Sequence, residues 1–331
     1  MSNPINRLLA LLGILAITIV LQIATEALLF DASFEAKTGE ANANIRVPLQ
    51  VRVNSTSCEL SSDGALPVIL MSLGRSGSSV TWDTMSALTG QRNVASEITG
   101  GNPETSKEFF SHLEENPYES HNWPTKRLCL IQKNHDKSPG AGIVGFQWKP
   151  YMSSFDSVYA IEGLKEVAAR HIAIVYLTRN PIDRKISNLR HDQSRASSDL
   201  IAAHCVVGDE ACIKKHAAFD QDLVFPVEDK LLRWMRSAVR NDHLIKKRLL
   251  DLNVKFIEIT YERLYNADDA DEWMRTFEFL RIGPAKNLSM DDIRATFSMA
   301  STHSKSRDQT ITNYAEVKKT LAGTEFEHFL S

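Results

Sequence analysis

Four strand-like segments divide the chain, and stretches of helical pattern lie between them. The segments are Pro67–Leu73, Ile143–Trp148, Ile172–Thr178 and Val254–Thr260. The first is a continuous apolar run, which is typical of a strand that a parallel sheet buries on both faces. Strands alternating with helices predict a single three-layer α/β domain around a central, mainly parallel sheet.

The helical stretches have recognisable starts and faces. Residues 79–88 and 156–170 carry apolar positions at helical spacing, and Leu231–Leu252 is a longer amphipathic pattern. Asn180 and Pro181 predict a helix start, because Asn is a good N-cap and Pro suits the first helical position.

The N-terminus carries a different signal. Leu8–Thr25 is a run of 18 residues without a charge, preceded by Arg7 and followed by Glu26. A membrane-spanning helix needs about 20 mostly apolar residues, and the positive side usually stays in the cytosol. A cleaved signal peptide and a buried soluble helix are the alternatives. We expect a cytosolic tail (1–7), a transmembrane signal anchor (8–30), a luminal stem (31–65) and a folded domain (66–331).

Sequons and cysteines fit a luminal body. Asn54 and Asn287 each begin a glycosylation sequon. An even number of cysteines in a luminal protein permits disulfides, and Cys205–Cys212 is the preferred pair because it closes a short loop. Free thiols, or a zinc site completed by flanking histidines, remain open. The four cysteines are Cys58, Cys129, Cys205 and Cys212.

Composition and charge exclude a large basic surface. The 331 residues are 43% hydrophobic and 24% charged, with a formal net charge of −3. These values are ordinary for a globular protein and offer no global field for nucleic acid. Any anion site must therefore be local, and we expect no nucleic-acid partner.

One local anion site is predicted where the first strand meets its helix. Gly74 and Gly77 allow a tight turn, the helix start offers free N–H groups, and Arg75 adds a two-pronged cation. No lysine follows Gly77, so the turn is not a Walker A motif. An ordinary Gly/Ser turn is the alternative. Hydroxyl donors in this turn are Ser76, Ser78 and Ser79.

A second anion motif follows the third strand. Arg179 ends that strand, and Ser187 lies eight residues later on the next helix. An arginine and a hydroxyl so placed can bind one phosphate. Because ligands of parallel sheets lie outside the carboxyl ends of the strands, we expect Arg75 and Arg179 to share one pocket.

Together the motifs resemble those of the sulfotransferase superfamily, closest to Golgi carbohydrate sulfotransferases. The segment 73–79 resembles the family's 5′-phosphosulfate loop, and 179–187 resembles its 3′-phosphate motif. The segment 259–264 is similar to a strand-end Tyr-Glu-x-Leu motif, and 304–307 to a basic loop that closes over the 3′-phosphate. The resemblance covers residues 67 to 329.

The resemblance implies a P-loop-like sulfotransferase fold and a reaction. The sulfuryl group of 3′-phosphoadenosine 5′-phosphosulfate would move to a hydroxyl or amine, with a carbohydrate as the expected acceptor and no metal. It also implies a single-pass type II protein of the Golgi membrane with a luminal catalytic domain. The implied donor contacts are Gly74, Arg75, Ser76, Gly77, Ser78, Ser79, Arg179, Ser187, Lys305 and Arg307.

Sulfuryl transfer also needs a base and cations around the reacting oxygens. Glu97 is the first candidate for the base, since the resembled enzymes carry a glutamate at similar spacing. Lys149 ends the second strand on the ligand side, and with Arg75 it completes the predicted catalytic set. His135 and His303 are the alternative bases.

The acceptor and the rival functions stay open. The weakly patterned segments 100–132 and 194–222 are expected to form loops that select the acceptor. Trp123 and Trp148 either stack on a sugar or lie in the core. A P-loop kinase-like phosphotransferase and a catalytically inactive luminal binding protein of the same fold are the rivals.

Overall fold

The computed structural model describes residues 58–90, 92–93, 95–135, 142–196, 205–218, 223–283, 288–299 and 306–331. Its sheet has the order β2-β1-β3-β4, and every adjacent pair is parallel. The predicted α/β class and its parallel sheet are confirmed. The strands are β1 (Leu66–Ser72), β2 (Ile143–Trp148), β3 (Ala173–Thr178) and β4 (Phe256–Thr260).

Helices fill the segments between and after the strands. In chain order they are α1 (Ser78–Leu88), α2 (Pro103–Glu115), α3 (Pro117–Ser120), α4 (Trp123–Asn134), α5 (Met152–Phe155), α6 (Val158–Ala169), α7 (Pro181–Ala196), α8 (Glu210–Ala218), α9 (Glu228–Asp251), α10 (Tyr261–Tyr265), α11 (Asp271–Leu280), α12 (Met290–Ala295), α13 (Arg307–Thr310) and α14 (Tyr314–Leu321). A 3₁₀ helix, Glu327–Leu330, follows.

Side chains of the sheet alternate between two cores, which explains why β1, β2 and β3 are rich in apolar residues. On β1, Ile69 and Met71 pack with α2, α4, α6 and α9. Val68 and Leu70 pack on the other face with α1, α11 and α12. All four side chains are fully buried. Helices therefore cover both faces of the sheet, as expected for this class.

Two disulfides tie peripheral segments to this body. The predicted Cys205–Cys212 bridge is confirmed, and it closes the turn that leads into α8. A second bridge joins Cys58 to Cys129 on α4, so it fastens the segment before β1 to the helix beside β2. Zinc ligation and free thiols are thereby ruled out for these four cysteines.

The prediction that residues 100–132 form loops is wrong. They fold into α2, α3 and most of α4, which begin at Pro103, Pro117 and Trp123. Asn102 caps α2 in a reciprocal capping box, and Phe110 on that helix is buried in the core. Segment 194–222 is also helical in part, since α7 ends and α8 lies within it.

Several predictions fall outside the described residues. They are the anchor (8–30), most of the stem (31–65), both sequon asparagines, and Lys305. Within the described part of the chain, no helix is long and apolar enough to cross a membrane.

Trp148 belongs to the core and is expected to be important for stability. Its side chain is fully buried, and its ring lies 4.9 Å from that of Trp123, which is buried as well. Trp148→Ala should lower the free energy of unfolding in urea by about 3–5 kcal/mol, because it leaves a large cavity. A loss below about 1 kcal/mol would contradict this placement.

Candidate active site

The strand order brings the two predicted anion motifs to one point. β1 lies between β2 and β3, so the strands that follow it in the chain are added on opposite sides of it. Ligands of parallel sheets bind in the crevice at such a switch point. Ser72 at the end of β1 is in register with Leu177 of β3. The turns carrying Arg75 and Arg179 therefore start side by side.

Arg75, Arg179 and Ser187 are in direct contact. Arg179 Nη1 donates a hydrogen bond of 3.2 Å to the carbonyl oxygen of Arg75. Arg75 Nε donates one of 3.2 Å to Ser187 Oγ. Burial, and then the nearby charge of Arg179, lower the pKa of Arg75. The charges of Glu97 and Asp192 oppose these effects only in part, and a bound anion would add opposite charge between the two half-buried arginines.

The turn after β1 has the backbone of an anion site. Arg75 and Gly77 both have left-handed backbones, with φ of 65° and 85°. Helix α1 starts directly after them without a side-chain cap, so its first N–H groups point at the pocket. Ser76 Oγ is buried and has no hydrogen-bond partner among the described residues, which favours a ligand or water there. Ser79, at the start of α1, is half-buried.

Helix α10 holds both motifs in place. The guanidinium of Arg179 lies over the ring of Tyr261, 4.4 Å from its centroid. A side chain at Gly77 would collide with the same ring, which explains the glycine there. Glu262 Oε1 accepts a hydrogen bond of 2.9 Å from the backbone N–H of Asn180 at the start of α7. The Tyr-Glu pair therefore fixes the position of Arg179.

Lys149 is not a surface lysine but a buried cation that contacts the serines flanking the turn after β1 (the donor turn, residues 73–77). Its side chain is 2% exposed, and Nζ donates to Ser78 Oγ at 2.5 Å and to Ser72 Oγ at 3.2 Å. Nζ also lies 3.2 Å from Glu97 Oε1. Burial lowers the pKa of Lys149, and the ion pair with Glu97 opposes that effect.

Glu97 reaches the same pocket from outside β2. It forms a parallel bridge with Gln147, whose backbone N–H donates to the carbonyl of Ser96 at 2.9 Å. Its carboxylate lies against the backbone of Gly101, so that an added Cβ there would be 2.5 Å from Oε2. The side chain is 38% exposed, so Glu97 is both anchored by Lys149 and accessible to solvent.

Tyr151 was missed by the sequence analysis. Its hydroxyl donates a hydrogen bond of 2.6 Å to the carbonyl oxygen of Gly101 and lies beside Gly74 of the donor turn. Burial raises the pKa of Tyr151 to about 12. The available signal was its position two residues after Lys149, just beyond the carboxyl end of β2.

Arg307 contacts Asp183, a residue within the predicted 3′-phosphate segment 179–187. Its guanidinium forms a paired contact with the carboxylate of Asp183 at 2.8 and 2.9 Å, and Nη1 donates to the carbonyl of Phe329 at 2.7 Å. Burial alone would lower the pKa of Arg307, but the bonds to Asp183 outweigh it and raise the pKa. Its predicted donor contact stays a prediction, as does that of Lys305.

Of the alternative bases, His135 lies away from the pocket. It follows α4 and precedes β2, so it belongs to the amino end of the sheet, opposite Glu97. His303 lies outside the described residues. No group of three or more histidine, cysteine, aspartate or glutamate side chains that could hold a metal ion occurs in the described ranges.

A scan against protein-family models and a search of curated protein sequences found no match for this chain.

Proposed function

We propose that the chain is a sulfotransferase that uses 3′-phosphoadenosine 5′-phosphosulfate as donor and a hydroxyl or amine, most simply that of a carbohydrate, as acceptor. The contact of Arg75, Arg179 and Ser187 at the switch point carries the proposal. Because of this contact, the two predicted anion motifs face one crevice. The donor carries a phosphate at the 3′ position and a phosphosulfate at the 5′ position of its ribose, so it needs two such motifs close together.

Each motif suits one end of the donor. The turn after β1 offers N–H groups, the unpartnered hydroxyl of Ser76 and the cation of Arg75 to the phosphosulfate. Arg179, held over Tyr261, and Ser187 suit the 3′-phosphate. Lys149, the lysine of this site, directly follows β2, whereas the lysine of a Walker A loop belongs to the turn itself. This difference favours phosphosulfate over a nucleoside triphosphate as the ligand.

The remaining residues suit an in-line transfer. The acceptor O–H or N–H bond breaks as its O or N bonds to sulfur, and the carboxylate of Glu97 takes the proton. The bond between sulfur and the phosphate oxygen breaks at the same centre, leaving 3′,5′-bisphosphoadenosine. Lys149, which touches both Glu97 and Ser78, is placed to stabilise the charge that develops on the leaving oxygen.

A secretory location is part of the proposal. Both disulfides in the described residues would be stable in an oxidising compartment and would be reduced in the cytosol. They support an oxidising compartment. The apolar run at residues 8–25 adds the proposed Golgi-membrane anchor (8–30), with residues 66–331 in the lumen.

A thermal-shift panel tests the donor class. We expect 3′,5′-bisphosphoadenosine to raise Tm, since a ligand at a hundredfold excess over Kd adds about 2.7 kcal/mol of stability. ATP with Mg²⁺ should leave Tm unchanged. Stabilisation by ATP and Mg²⁺ alone would instead identify a phosphotransferase, and no response to either nucleotide would leave only the fold.

A further inference from the structure

Tyr151 bridges two turns of the candidate site. One is the donor turn, residues 73–77 after β1, and the other is the Glu97 turn, residues 97–101. The tyrosine hydroxyl donates to Gly101 O at 2.6 Å, and the Glu97 carboxylate lies against the same glycine. On its other side the hydroxyl is close to Gly74, where an added Cβ would be 2.7 Å from the phenol oxygen. One phenol therefore contacts both halves of the candidate active site.

Gly74 is required by this contact rather than by its backbone. It is absent from the residues with positive φ, so an L-side chain suits its conformation. Only the hydroxyl of Tyr151 clashes with an added side chain, since its oxygen would be 2.7 Å from the added Cβ. The next atom, Cζ of the ring, would be 3.7 Å from it. That distance is ordinary van der Waals contact. Removing the hydroxyl alone would make room for a methyl group at position 74.

The Glu97 turn has few other restraints on the pocket side. Its own hydrogen bond runs from Gly100 N to Glu97 O at 3.1 Å, and the Lys149 N–H is bonded to Thr99 Oγ1 at 2.9 Å. Neither bond reaches the donor turn. Two side chains make that connection: Lys149 Nζ contacts both Glu97 Oε1 and Ser78 Oγ, and the hydroxyl of Tyr151 lies between Gly101 O and Gly74. The Tyr151 hydroxyl remains protonated near neutral pH, so it can donate a hydrogen bond but cannot act as the base.

We propose that Tyr151 is a positioning residue for the transfer reaction: its hydroxyl holds the Glu97 turn against the donor turn, so that the carboxylate faces the sulfuryl group. This inference rests on the proposed function. It requires that removal of the hydroxyl slow the transfer step without weakening the donor site, since Arg75, Arg179 and Ser187 make their contacts without it.

The kinetic test is Tyr151→Phe, assayed with ³⁵S-labelled donor. Two acceptors can be used. With water, the assay measures the release of labelled sulfate, and with a glycan that the wild type sulfates, it measures the label transferred to the glycan. We expect kcat to fall by about tenfold, the value of one hydrogen bond lost at the transition state, with the Kd for 3′,5′-bisphosphoadenosine unchanged. Tyr176→Phe is the matched control. The buried hydroxyl of Tyr176 donates a hydrogen bond of 2.9 Å to Asp242, which is not part of the donor turn. This variant should lower stability and leave kcat unchanged.

A double-mutant cycle tests the contact independently of activity. Gly74→Ala should lower the urea midpoint, and Gly74→Ala combined with Tyr151→Phe should restore it, because contacting residues do not act additively. Wild-type kcat in Tyr151→Phe, a parallel loss of kcat and donor affinity, or an additive cycle would each overturn the inference. If the wild type neither binds the bisphosphate nor releases sulfate, the proposed function fails instead, and the cycle still reports on the contact.

Discussion

Glu97→Gln is expected to lower the transfer rate by about 10²–10⁴-fold, the usual contribution of a general base. The amide keeps the shape of the carboxylate, and its oxygen can still accept a hydrogen bond from Lys149 Nζ, which lies 3.2 Å from Glu97 Oε1. It cannot take the acceptor proton. Affinity for 3′,5′-bisphosphoadenosine should therefore stay unchanged in a calorimetric titration, while sulfation of the acceptor nearly stops.

The matched control for this variant is Glu104→Gln. Glu104 lies in the first turn of α2, and its charge is felt at Tyr151, but it makes no contact with Lys149. It should retain the wild-type rate. If both variants lose activity equally, the pocket needs negative charge rather than a base at residue 97. A wild-type rate in Glu97→Gln would remove Glu97 from the mechanism.

Arg179→Ala is expected to raise the Kd for 3′,5′-bisphosphoadenosine by roughly 10–100-fold, since hydrogen bonds to charged groups contribute about 1.5–3 kcal/mol each. The ligand-free protein should stay folded, because the change removes one of two neighbouring half-buried cations and leaves Tyr261 and Glu262 in place. Calorimetric titration gives the affinity, and urea unfolding gives the stability.

A neighbouring arginine provides the comparison. Arg263 lies on the same helix as Tyr261, but its side chain is 65% exposed and is directed to Glu272. Arg263→Ala should bind the bisphosphate as tightly as the wild type does. If Arg179→Ala unfolds the protein, Arg179 has a structural role. If the folded variant binds the ligand normally, the 3′-phosphate assignment is wrong.

Three strands could be predicted because β1, β2 and β3 are buried on both faces, whereas only alternate residues of β4 are buried. The predicted run 143–148 matches β2 at both ends, and the others differ by one or two residues at one or both ends. Helix α2 was missed because only Ser106, Phe110 and Leu113 are buried on it, which is too narrow an apolar stripe to stand out from the polar residues around it. Its capping box and leading proline were the usable signals.

The site was predictable only where a motif is continuous in sequence. Arg75 and Arg179 follow directly from strand ends, so the topology of a parallel sheet was enough to bring them together. The contacts of Tyr151 with Gly74, and of Tyr261 with Gly77, join segments that are distant in the chain and meet only after folding. The burial of Lys149 beneath the donor turn likewise depends on the pairing of β1 with β2.

The claim that two arginines bind two ends of one nucleotide is tested most directly by calorimetric titration of the wild type. The ligands are 3′,5′-bisphosphoadenosine, adenosine 5′-monophosphate and adenosine 3′-monophosphate. We expect the bisphosphate to bind at least about tenfold more tightly than either monophosphate, because each lacks the partner of one arginine. Equal affinity of the bisphosphate and one monophosphate, or no binding of any of the three, would contradict the shared donor pocket.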